Sequence, residues 1–373
     1  MVNPFRYCLV IAVCLVAVAV YMENFIWQWR LPPHFPVPHV PGDNPMSREK
    51  VELGRYLFYD RRLSANGEVS CSSCHKQELA FTDGRQLSEG LHGDKTSRNS
   101  MSLTNVAYNA SYTWANPLIA RLQDQALLPL FGEEPAEMGL AGKEALVLAR
   151  LKTDPLYQAL FEGAFGADED VITIPNIVQS IASFQRTLIS GKSPYDRFLM
   201  GDNHALSDSA RRGMKLFFSE KMECFHCHGG FNFSDSVAHG GNRQPALSFH
   251  NTGLYLEGEP GWDAGVFQVT RKETDKGLMK APTLRNIAVT GPYMHDGSLE
   301  TLGDVINHYA RVWEREDRAE KDRAVVSEFI PGFDVSEKDS SDLVAFLESL
   351  TDERFLTDER FSDPWGASTK LSD

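Results

Sequence analysis

Two five-residue strings, CSSCH at 71–75 and CFHCH at 224–228, constrain this chain more than anything else in it. Of its six cysteines, Cys8 and Cys14 fall in an apolar N-terminal run. The other four, Cys71, Cys74, Cys224 and Cys227, are all used in the two strings. A four-cysteine zinc unit brings its two pairs within about 15–20 residues, and Cys74 and Cys224 lie far outside that window. A thioredoxin-like pair needs a βαβ context, which the surrounding pattern lacks. Covalent c-type haem fits both strings. The thiols add to the porphyrin vinyls and the adjacent histidine takes the iron. His75 and His228 are therefore expected to be the proximal ligands of two haems, and His226 a surface histidine.

The first residues read as a targeting segment. MVNPFRYCLVIAVCLVAVAVY carries one Arg before its apolar run, which suits a signal-peptide core better than a membrane span of about 20 residues. Ala17-Val18-Ala19 offers a cleavage site. Residues 1–22 are thus expected to be a signal peptide or an uncleaved anchor, with the remainder exported to the periplasm. Membrane contact is expected only in the uncleaved case. A Pro-rich arm follows over 23–45. The formal net charge of −14 excludes a nucleic-acid partner, whose phosphates need a basic footprint.

The remainder repeats itself. Gly54-x-x-Leu57-Phe58 precedes the first string and Gly213-x-x-Leu216-Phe217 the second. Downstream, SLTNVAYNASYTW (102–114) aligns without gaps on TLRNIAVTGPYMH (283–295), so Trp114 falls opposite His295. This predicts a mainly α protein with two cytochrome c-like haem domains related by approximate internal symmetry: 46–200 and 201–350, then a solvated tail over 351–373. Ser340 or Ser341 is the expected cap of the last long helix.

The helix after each aligned stretch should cross the distal face of its haem. Leu302, Val305, Ile306, Tyr309 and Val312 share one apolar stripe. In the first half, Pro129 falls opposite Tyr309. Tyrosine ligates ferric iron; proline has no donor. The expectation is one six-coordinate haem, His228/Tyr309, and one open haem beside His75. Met294 and His308 are the rival ligands to Tyr309, which would then be a core aromatic.

With RNSMSLTN…YTW, EEPAEMG and APTLRNIAVTGPYMHDGSLETL added to the two haem strings, the chain resembles the bacterial di-haem cytochrome c peroxidase and MauG superfamily over about residues 44–350. TWANPL, PLFGEEPAEMGLAG and HNTGLY resemble most the MbnH-like group, whose members oxidise a tryptophan of the copper-binding partner MbnP to kynurenine. The resemblance implies two covalent haems c and hydrogen peroxide as oxidant. It implies a high-valent di-haem state that oxidises a protein substrate. It assigns Glu137 as distal acid–base, Pro129 as the residue over the open haem, and Trp114 as the tryptophan between the haems. Asn99, with carbonyls near Lys280 and Pro282, matches a calcium site. At the position of Tyr309 the peroxidase branch has methionine and the MauG-type branch tyrosine. The spacing from Pro129 to Glu137 is stretched by two residues, which leaves Glu133 and Glu134 as rival acids; His92 is either a cap on the open haem or a polar loop residue.

Three functions compete at this stage: a MauG-type oxidase of a protein tryptophan, a peroxidase fed by a small cytochrome or copper protein, and a non-catalytic electron carrier. Tyr309 favours the first over the second. Pro129 opposite Tyr309 favours either over the third.

Overall fold

The computed structural model describes residues 27–167, 170–242, 245, 247–314 and 325–366. The targeting segment, the first residues of the arm and the last seven residues lie outside them. Among the described residues there are helices, turns and isolated bridges but no extended strand, and no helix long and apolar enough to cross a membrane. The first half contains α1 (Arg48–Tyr59), α2 (Cys71–Cys74), α3 (Leu122–Phe131), α4 (Glu144–Lys152), α5 (Pro155–Phe165) and α6 (Ile174–Arg186). α7 (Pro194–Leu199) leads into the second half, with α8 (Asp208–Phe217), α9 (Cys224–His228), α10 (Phe267–Thr270), α11 (Leu302–Arg311), α12 (Glu337–Glu348) and α13 (Glu353–Thr357).

The two halves are built on the same crossing. α1 starts at Ser47, whose hydroxyl accepts from Lys50 N, and α8 at Ser207, whose hydroxyl accepts from Ala210 N. Each helix then lies against the last long helix of its half with a glycine at the contact. A Cβ on Gly54 would stand 1.9 Å from the Ser180 carbonyl oxygen, and one on Gly213 1.8 Å from that of Asp342. Only glycine lets two backbones approach so closely. Around the crossings the aromatic residues also match: Phe58 packs on Phe184, and Phe217 on Phe346. The repeated asparagines match too. Asn105 and Asn286 both take left-handed backbone, φ 55° and 61°, and each opens a short 3-10 turn. Two domains related by approximate internal symmetry follow from these pairs.

Two expectations fail here. The cap of α12 is Ser336, not Ser340 or Ser341, because Ser336 and Asp339 form a reciprocal capping box that starts the helix earlier. Up to residue 366 the tail is only partly solvated, because its aromatic residues turn inward. Phe355 and Phe361 are buried in the core of the first half, and Trp365 packs against it. The arm is also a packed element: Phe35 sits between Tyr108 of the first half and Phe231 of the second.

Candidate di-haem centre

Each attachment string forms one helical turn that ends at its histidine. His75 Nδ1 donates to the Phe81 carbonyl at 2.7 Å, and His228 Nδ1 to the Phe233 carbonyl at 3.1 Å. Left-handed backbone at Ala80 and Phe81 (φ 51° and 62°), and at Phe233 (φ 51°), turns each loop back over its ring. A bound Nδ1–H fixes the tautomer and leaves Nε2 for a metal. Burial lowers the pKa of both imidazoles, which keeps them neutral. Burial also pushes the thiols of Cys71 and Cys224 up to about 12 and that of Cys74 to about 11. The donor set fits haem c at both places.

In the second half one cavity is lined by His228, Cys227, Met294 and Tyr309, and it extends to Trp114 of the first. Thr301 and Asp304 cap α11 reciprocally, and the helix carries Tyr309 at its eighth position. His308 is turned away, its Nε2 bonded to the Thr252 carbonyl at 3.0 Å. Pro129 holds the eighth position of α3. The chain after α3 folds back on it: Met138 N donates to the Pro129 carbonyl at 3.0 Å and Leu140 N to Leu130 at 2.8 Å. This return brings Glu137, next in sequence to Met138, back to the end of α3. Leu91 N donates to the neighbouring Ala136 carbonyl, and Glu137 is half-buried on this turn. Burial raises its pKa. Glu133 and Glu134 are exposed on the turn, as is His92 on its loop.

Trp114 is held on three sides. Its Nε1 donates to the Asn99 carbonyl at 2.8 Å, and its own carbonyl accepts from Lys280 N at 2.7 Å. Lys280 Nζ reaches the Ser111 carbonyl at 2.6 Å, three residues back on the same turn. Ser100, next to Asn99, donates to the Cys74 carbonyl at 2.8 Å. A short path of bonds therefore runs from the first attachment loop through residues 99–100 to Trp114 in the second cavity. Asn99, Lys280 and Pro282 line that same cavity. Asn99 spends its amide N–H groups on the Arg85 and Gln86 carbonyls, which leaves its side-chain oxygen to accept.

Two features escaped the sequence reading. The carbonyls that orient the histidines come from Phe81-Thr82-Asp83 and Phe233-Ser234-Asp235, and that repeated F-[ST]-D pattern was there to be found. Lys280 was read for its carbonyl alone, yet its ammonium is fully buried, which lowers its pKa to about 7.

Fold and site together define a c-type di-haem protein built of two similar halves. The di-haem cytochrome c peroxidase family model matches residues 48–204. MauG of Methylorubrum extorquens is 36% identical over 314 residues, 84% of this chain and 81% of that protein. Cytochrome-c peroxidase IdrP1 of Denitromonas iodatirespirans is 36% identical over 364 residues, 91% and 92% of the two chains. Among solved structures, a MauG-like protein associated with microbial copper homeostasis superposes with a TM-score of 0.86 at 44% identity, covering 91% of this chain and 99% of that one. The chain belongs to the di-haem cytochrome c peroxidase and MauG family. It is an oxidoreductase whose cofactors are two haems c.

Proposed function

We propose that this protein uses hydrogen peroxide to oxidise a tryptophan of an MbnP-like copper-binding partner to kynurenine. The reading rests on one observation: the eighth residue of the distal helix is Pro129 in one half and Tyr309, facing the His228 cavity with Trp114, in the other. The 44% identity to the MauG-like protein associated with copper homeostasis supports the choice of partner.

Haem c, when bound, supplies the iron that receives peroxide and its two oxidising equivalents. The residues around it divide the remaining work. Pro129 offers no donor, so the side of the His75 haem that it covers would be left free for peroxide. Glu137 takes the proton from the near oxygen and returns it to the far one, which leaves as water; such transfers contribute about 10²–10⁴-fold. Trp114 would relay charge between the halves, and Tyr309, whose burial raises its pKa, would give an anionic oxygen that favours higher oxidation states once iron takes the place of its proton. A calcium ion on the Asn99 oxygen and the carbonyls of Lys280 and Pro282 would brace the Trp114 turn. Export to the periplasm is part of the same proposal.

The second reading, a peroxidase drawing electrons from a small cytochrome or copper protein, is favoured by the relatives that carry that name. Mass spectrometry of the partner after incubation with enzyme and peroxide separates the two. Kynurenine in place of tryptophan is the expected result, whereas rapid peroxide turnover with an unmodified partner would select the peroxidase. Ferric EPR is expected to show one high-spin and one low-spin haem; two low-spin signals would sink the open site. If Tyr309→Phe left the low-spin signal unchanged, Met294 would be the ligand.

A further inference from the structure

The duplicated TDERF at 351–355 and 357–361 has no part in the chemistry above, yet it ends on the first haem loop. Asp352 caps α13, its side chain accepting from Phe355 N, and the second copy turns at Asp358, whose carbonyl accepts from Phe361 N. Each copy thus delivers a phenylalanine three residues after an aspartate. The two rings meet at 5.5 Å. Phe355 packs edge-on against Phe81 at 5.7 Å, and Phe81 is the residue whose carbonyl holds His75. Gln77, inside the same loop, donates through Nε2 to the carbonyls of Phe355 and Asp358 at 3.2 and 2.9 Å. Tyr59 and Arg55 of α1 donate to the Phe361 and Glu359 carbonyls and hold the far end.

The same arrangement occurs in the other direction. After α6 the chain crosses into the second half, where Tyr195 packs against Phe233 at 5.2 Å, the residue whose carbonyl holds His228. The exits from α6 and α12 are equivalent. Ser190 N donates to the Asn105 side chain, and Asp352 N to that of Asn286. They also touch each other, since the Asp352 carboxylate accepts from Gly191 N and Lys192 N at 3.0 and 2.9 Å.

We infer that the two exit segments are exchanged buttresses: each half sends an aromatic residue to set the carbonyl that orients the other half's proximal histidine. Phe355 is a positioning residue for His75, and Tyr195 for His228. The strength of the Nδ1–H bond controls ligand basicity, so each buttress tunes the haem it does not belong to in sequence.

The inference for His75 rests on the reading of an open first haem, and resonance Raman of the reduced holoenzyme tests both. Wild type should show an iron–histidine stretch from a five-coordinate haem. Phe355→Ala, and Gln77→Met as the milder variant that keeps the ring, should shift it to lower wavenumber while the low-spin EPR signal stays in place. A lower melting temperature with an unshifted stretch in both variants would overturn the inference and leave the segment as a structural clip. Absence of the stretch in wild type would sink the open-haem reading instead. The Tyr195→Leu arm then decides: the inference stands if its low-spin g values move, and fails if they match wild type.

Discussion

The two haem halves share a frame and differ at the eighth position of one helix in each, α3 and α11. Their crossing glycines, left-handed asparagines and histidine–carbonyl bonds correspond. Their distal helices are both ten residues long and begin at equivalent leucines, Leu122 and Leu302. At the eighth position one carries proline and the other tyrosine. The residues that attach and orient a haem are thus alike in the two halves, while the eighth helix position differs. Fold alone would not separate a reactive haem from a storing one; on the proposed function a single side chain on each of these helices does.

Making the halves alike should abolish function, and this is the largest effect expected. Pro129→Tyr puts a phenol donor at the position that Tyr309 holds in the other half. The high-spin EPR signal should convert to a second low-spin signal and peroxide turnover should vanish. Retention of both would show that the first distal face is set by something other than α3.

Glu137→Gln keeps the frame and removes only the proton carrier. A loss of about 10²–10⁴-fold in kcat/KM for peroxide is expected, with both EPR signals unchanged. Because burial raises the Glu137 pKa, its base form appears only above the ordinary carboxylate range. The acidic limb of the kcat/KM profile should lie correspondingly high, and the Gln variant should lack that limb. Glu133→Gln and Glu134→Gln, on the exposed turn, should leave both rate and limb unchanged.

Much of this was legible because the signals were local or duplicated. The haem strings, Gly54 with Gly213, and Pro129 with Tyr309 recur in the same order in both halves, with loops of different length between them. The fate of the C-terminal segment was not legible. TDERF is polar by composition, and only the tertiary path shows that its two phenylalanines enter a core more than 270 residues away in sequence, as the Gln77–Phe355 bond measures. Ser336 was missed for a related reason: the Ser-x-x-Asp box outcompetes the later serines, which lie inside the helix it starts.

The glycine crossings allow a sharper test of how equal the frames are. Gly54→Ala and Gly213→Ala each push a methyl group into a backbone carbonyl of the facing helix. Overpacking of this kind costs about 1–3 kcal/mol, sometimes more. Chemical denaturation of the holoprotein should show comparable losses for the two variants. A large loss at one and none at the other would mean that the halves are not held by the same contact.

The smallest expected effect lies beside the second crossing, where the frames do differ. The residue facing Gly54 is Ser180, whose hydroxyl returns to its own helix at Asn176. The residue facing Gly213 is Asp342, whose carboxylate accepts from Arg212, Lys338 and Ser209. Hydrogen bonds from Arg212, Lys338 and Ser209 hold its pKa well below the ordinary carboxylate range. A depressed folded pKa means stability that is present above the unfolded value, near 3.9, and lost as pH falls through the folded one. Arg212 and Lys338 are solvent-facing, so salt should screen much of the gain. Asp342→Asn should therefore lower the melting temperature slightly at neutral pH and low salt. The difference should shrink with added salt and close in strong acid. A difference that ignored both salt and pH would assign Asp342 to packing at the crossing rather than to charge, and the two frames would then be closer than their sequences suggest.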